Sequence, residues 1–118
     1  MPESSRSSII MLSSFVSKIP NNLMGVYSMS KSAINSMTKS LAIELQNSGI
    51  RVNAIAPGII RTKFAKVLVD IVEKNDESQF AIGKADDVAH LAYFLASDKA
   101  LFINGNIIEI TGKPIPSL

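Results

Sequence analysis

Two short, almost continuous apolar runs, each closed by turn-forming residues and separated by a long stretch of helical period, constrain this chain more than any other feature. The first is Ser8-Ile9-Ile10-Met11-Leu12, followed by Ser13-Ser14; the second is Ile50 to Ala56, followed by Pro57-Gly58. Runs without polar alternation fit strands buried on both faces, as parallel sheets require. Parallel strands need a crossover, and residues from about Leu23 to Gln46 supply one. Within it Val26, Ser30, Ile34, Met37, Leu41 and Leu45 fall on or near one helical stripe. Asn47-Ser48-Gly49 is a fitting helix stop.

The remainder extends the same pattern. Thr62 to about Lys74 is amphipathic, with Phe64, Val67, Leu68, Ile71 and Val72 apolar, and residues 75–84 read as a polar loop. A helix is expected from about Ala85 to Ser97, with Asp86 and Asp87 at its positive end. Asn104-Gly105 marks a turn before a third strand, Asn106 to Ile110. The order β-α-β-α-α-β implies right-handed parallel crossovers and an α/β layered sheet. The polar, Ser-rich residues 1–7 are expected to fray.

Composition removes several function classes. The chain has no cysteine, which excludes disulfides, thiol catalysis and Cys-based zinc sites. Its one histidine, His90, cannot build a His-rich metal site, and no metal site is expected. No apolar run approaches the length of a membrane span, and the start lacks a signal-peptide core, so an intracellular protein is expected. Charge is split along the chain. Residues 1–66 hold eight Lys/Arg against two Glu, and residues 67–118 hold four Lys against eight acids. The positive half suits a dinucleotide or other phosphate ligand. Nucleic acid is not expected, because no basic cluster is interleaved with aromatics.

One constellation carries chemistry. Tyr27-Ser28-Met29-Ser30-Lys31 places a phenol and an ammonium four residues apart, on one helix face. An ammonium beside a phenol stabilises the phenolate and makes it a usable acid or base near neutral pH. Ser13 and Ser14 close the first strand, at the carboxyl edge where open α/β sheets bind ligands. The second strand ends at that edge in Pro57-Gly58-Ile59-Ile60-Arg61-Thr62.

Over essentially all of residues 8–112 these elements resemble the short-chain dehydrogenase/reductase family. The matching residues are Ser13-Ser14, Tyr27-x-x-x-Lys31, Arg51-Val52-Asn53-Ala54 and Pro57-Gly58-x-Ile60-x-Thr62. Asp86-Asp87-Val88-Ala89, Phe94-Leu95-Ala96-Ser97-Asp98 and Asn104-Gly105 match too. Lys39 to Leu45 and Gly58 to Phe64 look like a carbonyl-reductase subgroup. The resemblance implies the C-terminal part of a Rossmann-type doubly wound parallel sheet, with three strands and three helices. It implies hydride transfer between NADP, or NAD, and a small carbonyl or alcohol. Tyr27 would exchange the proton, Lys31 would support it and bond the nicotinamide ribose, and Ser14 would hold the substrate oxygen. Pro57 and Gly58 would border the cofactor, with the Ile60 backbone and Thr62 at its carboxamide. Asn53 would be structural. The likeness also implies a homo-oligomer formed through the Tyr27 helix and the final strand.

Some family features are missing from these 118 residues. No Gly-rich Thr-Gly-x-x-x-Gly-x-Gly turn occurs, and that turn normally seats the pyrophosphate. The chain is therefore expected to be a truncated form, weak or inactive alone, with Ile9 to Leu12 presenting an apolar edge. The alternative is a non-catalytic fragment that associates with full-length reductase subunits. The C-terminal Pro116-Ser117-Leu118 matches a peroxisomal signal only at its last residue, so a cytoplasmic location is expected over a peroxisomal or mitochondrial one.

Overall fold

The computed structural model describes residues 6–15, 25–63, 65–74 and 81–114. Its elements are β1 (Ser7–Leu12), α1 (Gly25–Leu45), β2 (Ile50–Pro57), β3 (Ile59–Ile60), α2 (Lys66–Lys74), β4 (Ile82–Gly83), α3 (Ala85–Ala96) and β5 (Ile107–Ile110). The two apolar runs pair in parallel from Ser7 opposite Ile50 to Leu12 opposite Ile55. β5 joins the other side of β2 in parallel, from Ala54 opposite Ile107 to Pro57 opposite Ile110. The sheet order is β1-β2-β5, so the three strands and three helices of the expected doubly wound architecture are present. Ser7, assigned to the frayed start, is the first residue of β1 because its N–H donates to Gly49 O at 3.3 Å. Residues 1–5 and 115–118, with the C-terminal tripeptide, lie outside the described residues.

β2 carries the core. Residues 51–56 are all buried, as a strand with neighbours on both edges and helices on both faces must be. Its side chains alternate between the two faces. Ile55 packs with Leu95 and Ala100, flanked by Ile10, Val88, Leu91, Ala92 and Ile108, so α3 covers that face. The opposite face carries Ala54 in register with Met11, whose sulfur accepts a hydrogen bond from Thr38 Oγ1 at 3.4 Å. That contact places α1 there.

Two buried polar residues on β2 lock the layers. Arg51 lies inside, and its Nη1 donates to Leu95 O at 2.9 Å and Ala100 O at 2.8 Å. Its Nη2 donates to Ser97 O at 3.3 Å. The guanidinium thus satisfies the carbonyls at and beyond the C-terminal end of α3, where a cation is favoured. Asn53, fully buried, donates from Nδ2 to Ile103 O and accepts from Asn106 N at Oδ1, both at 3.0 Å. It pins the turn that feeds β5, the structural role expected of it.

Four further expectations need correction. β1 is not buried on both faces: Ile9 is 39% and Leu12 54% exposed, because β1 is an edge strand of this sheet. On α1 the inward stripe is displaced: of the expected line Ile34, Leu41 and Leu45 are half-buried but Val26, Ser30 and Met37 are exposed, while Thr38 and Ala42 are buried and Tyr27, Lys31 and Asn35 half-buried. α2 begins at Lys66, and ahead of it Ala65 N donates to Thr62 O and Oγ1, both at 3.2 Å. Among its described side chains Val69 is buried and Val67 exposed, while Phe64 lies outside the described residues. Finally, the segment read as a loop over 75–84 contains β4, which pairs in parallel with β3. Ile59 and Val69 form a small second core there, with Phe15, Ala65 and Ile82 against it. Residues 75–80 lie outside the described residues.

Candidate active site

The strands β1, β2 and β5 are parallel, so their carboxyl ends share one edge of the sheet. At this edge Ser13 continues the ladder past β1, its N–H donating to Ile55 O at 2.8 Å. Ser13 and Ser14 are both buried. Ser13 Oγ donates to the Lys31 backbone carbonyl at 3.3 Å, which ties the strand end to the first turns of α1. Lys31 reaches back the other way, its Nζ donating to Leu12 O at 3.1 Å.

Tyr27 and Lys31 face the sheet along the same line of α1 as Thr38 and Ala42. The Lys31 ammonium stands 5.4 Å from the centroid of the Tyr27 ring, within cation–π range. Thus the phenol, the ammonium and the strand-end serines converge on one edge. Pro57 closes β2 beside them, in register with Ile110, and Gly58 N donates to Ile110 O at 2.9 Å. A Cβ on Gly58 would stand 3.2 Å from Thr111 Cα, so glycine permits the close approach of the two strand ends.

Ile60 and Thr62 sit one step further out. Ile60 belongs to the β3–β4 ladder, opposite Gly83, and Thr62 is exposed, its hydroxyl donating to Ile60 O at 3.4 Å. Gly58 links them to the sheet edge, and Phe15, next to Ser14, packs against the neighbouring Ile59 and Val69 core. Three features here escape a reading of residue types: the Leu12 carbonyl as the lysine's acceptor, the inward hydroxyl of Ser13, and an ion pair between Arg61 and Glu73 that ties β3 to α2. Backbone acceptors leave no trace in composition, and the ion pair spans elements whose bounds are set by tertiary packing. His90 is exposed on α3.

The arrangement offers a phenol hydroxyl for proton exchange and a fixed ammonium beside it. A lysine ammonium has three N–H donors. One goes to Leu12 O, which leaves donors for ligand hydroxyls, so the donor set fits a ribose. Among the described residues no helix is long and apolar enough to cross a membrane.

A family model described as enoyl-(acyl carrier protein) reductase matches residues 1–112. The chain is 35% identical over 116 residues to dehydrogenase/reductase SDR family member 4 of Bos taurus, covering 94% of this chain and 42% of that protein. It is 37% identical over 115 residues to dehydrogenase/reductase SDR family member 2, mitochondrial, of Homo sapiens, covering 93% and 41%. Among solved structures it is similar to 4-hydroxyisoleucine dehydrogenase complexed with NADH, with a TM-score of 0.84 and 28% identity over 92% of this chain and 46% of that one. The chain therefore spans less than half the length of these relatives.

Proposed function

The chain belongs to the short-chain dehydrogenase/reductase family, and from that premise we propose that it carries the proton-transfer side of an NAD(P)-dependent carbonyl reductase or alcohol dehydrogenase. The observation that supports this reading is the convergence of Tyr27, Lys31 and the Ser13-Ser14 strand end on one sheet edge. Tyr27 gives its phenolic proton to a carbonyl oxygen, or takes one from an alcohol in reverse. Ser14 holds that oxygen and stabilises the charge developing on it. Lys31 faces the Tyr27 ring and presents its remaining N–H donors to the cofactor ribose. The Pro57-Gly58 turn, the Ile60 backbone and Thr62 border the nicotinamide. A bound nicotinamide cofactor supplies or accepts the hydride, and NADP is the proposed form. The substrate is a small carbonyl or alcohol.

These 118 residues include no Gly-rich phosphate turn, so we expect them to hold the dinucleotide weakly by themselves. The test titrates NADPH and NADH fluorescence against the purified chain, beside a diketone reduction assay at high nucleotide concentration. The expected result is little binding at micromolar chain and slow turnover that disappears in Tyr27→Phe. Turnover surviving Tyr27→Phe overturns the proton-transfer assignment, and micromolar cofactor binding overturns the expectation of a weak site.

A second reading, association with copies of itself or with full-length subunits, is favoured by the outer face of α1. Val26, Met29 and Ile43 are 83%, 72% and 69% exposed there. Sedimentation of the chain beside Met29→Lys and Ile43→Lys tests it. Loss of a dimer in both variants supports the reading, and a monomeric parent chain removes it.

A further inference from the structure

We propose that Ser13 is a positioning residue that sets where the Lys31 ammonium stands; the proposal rests on the assignment of Lys31 to the reaction. Residue types alone present Ser13 as a duplicate of Ser14. The structure separates them. Ser13 is 4% exposed and its hydroxyl is directed into α1, onto the Lys31 carbonyl at 3.3 Å. Its own N–H is fixed to Ile55 O at 2.8 Å, so the residue that carries the hydroxyl is tied to β2, the most buried strand of the sheet. That carbonyl also takes the helical bond from the N–H four residues on, and its second lone pair accepts the serine.

Two ties therefore cross between the same pair of backbone segments in opposite directions. The strand end gives a hydroxyl to the helix at Lys31 O, and the helix returns the Lys31 ammonium to the strand at Leu12 O, at 3.1 Å. A lysine side chain is long and loses much rotamer freedom when it is held. Here it is anchored at its backbone by Ser13 and at its tip by Leu12, so its path past the Tyr27 ring is set before any ligand arrives. Catalytic groups gain most from such preorganisation. Neither tie asks anything of Ser14, which keeps the substrate role.

The experiment uses the whole chain, labelled at the lysine ε-carbons and with fluorotyrosine. Only two tyrosines are present, and Tyr93, 82% exposed on α3, serves as the internal reference. In Ser13→Ala the tied population should fall by about fivefold, the worth of one ordinary hydrogen bond. The Lys31 ε-carbon signal then moves toward the exposed lysines and the Tyr27 line shifts while Tyr93 stays. Ser13→Thr restores both. If the alanine variant does not fold, Ser13→Cys, which keeps the size with a weak donor, carries the same expectation.

A role confined to stability would lower the melting temperature and leave the Lys31 and Tyr27 lines of the folded variant in place. That result overturns the proposal, as does a Ser13→Thr variant that fails to restore lines moved by alanine. The readout needs no turnover, so the two ideas fail separately. Shifted lines with turnover that survives Tyr27→Phe refute the proton-transfer reading and leave Ser13's hold on Lys31 intact.

Discussion

Arg51→Met tests how the layers of this fold are held together. The side chain leaves the interior with its stem replaced but its guanidinium deleted. The parent guanidinium makes two short bonds, to Leu95 O and Ala100 O, and a longer one to Ser97 O. Bonds from a charged donor contribute roughly 1.5–3 kcal/mol each, so the two short ones alone represent about 3–6 kcal/mol. Removing the buried charge also removes its desolvation cost, and methionine recovers part of the packing. The carbonyls at the end of α3 lose their charged donor and keep neutral ones: the Ser8 hydroxyl at 3.3 Å for Leu95 O, Ile103 N at 3.0 Å for Ala100 O and Ala100 N at 3.2 Å for Ser97 O. The net loss is expected to be about 3 kcal/mol.

Urea unfolding followed by far-UV circular dichroism reads this directly. For an m-value of about 1.5 kcal/mol/M the midpoint should fall by about 2 M with m unchanged. The melting temperature should drop by about 10–15 °C for a domain of this size. Arg51→Lys, which keeps the charge but not the planar fork, should lose about half as much. A methionine variant within about 0.5 kcal/mol of the parent, the range of an inert surface change, would refute the view that Arg51 caps α3.

Three other substitutions separate the remaining elements. Asn53→Leu breaks both bonds of a fully buried amide and should cost about 2 kcal/mol by the same urea titration. Gly112→Ala should cost about 1–3 kcal/mol, because the residue has a φ of 74° and a new Cβ would stand 2.8 Å from Ala81 Cβ. Differential scanning calorimetry checks it. Glu73→Gln removes the exposed Arg61–Glu73 pair and should change stability by less than about 1 kcal/mol, with the difference vanishing in high salt.

The strands of the main sheet were legible because parallel strands must be apolar on consecutive residues, and few other local structures ask for that. The face of α1 was not. Tyr27, Lys31, Asn35 and Thr38 lie on the line turned toward the sheet, so the inward surface is more polar than a count of apolar residues expects. The apparent stripe through Val26 and Met37 is its displaced image. A functional site built into the buried line of a helix misleads periodicity in this way, since chemistry requires polar groups where packing alone would not. The β3–β4 ladder was invisible for a different reason. Two residues per strand cannot express a period of two, and their pairing depends on the separate core around Ile59 and Val69.

Those two failures bear on how stability and chemistry are divided in the molecule. The contacts that fix α3 and the β5 turn converge on β2, through Ile55 in the core, Arg51 at α3 and Asn53 at the β5 turn. The candidate active groups lie one step away, on the edge strand and the first turns of α1, where Leu12 is already half exposed. There the main-chain ladder runs out at Ser13 N–H to Ile55 O, and hydrogen bonds from side chains, Ser13 to the helix and Lys31 to the strand, add the hold on α1. Substitutions in β2 should therefore shift unfolding midpoints while leaving the Tyr27 and Lys31 signals of the folded chain unmoved. Substitutions at Ser13 should move those signals, with a midpoint loss no larger than one ordinary hydrogen bond explains. A chain in which both sets of variants moved both readouts together would show one cooperative unit, and the division argued from burial would fall.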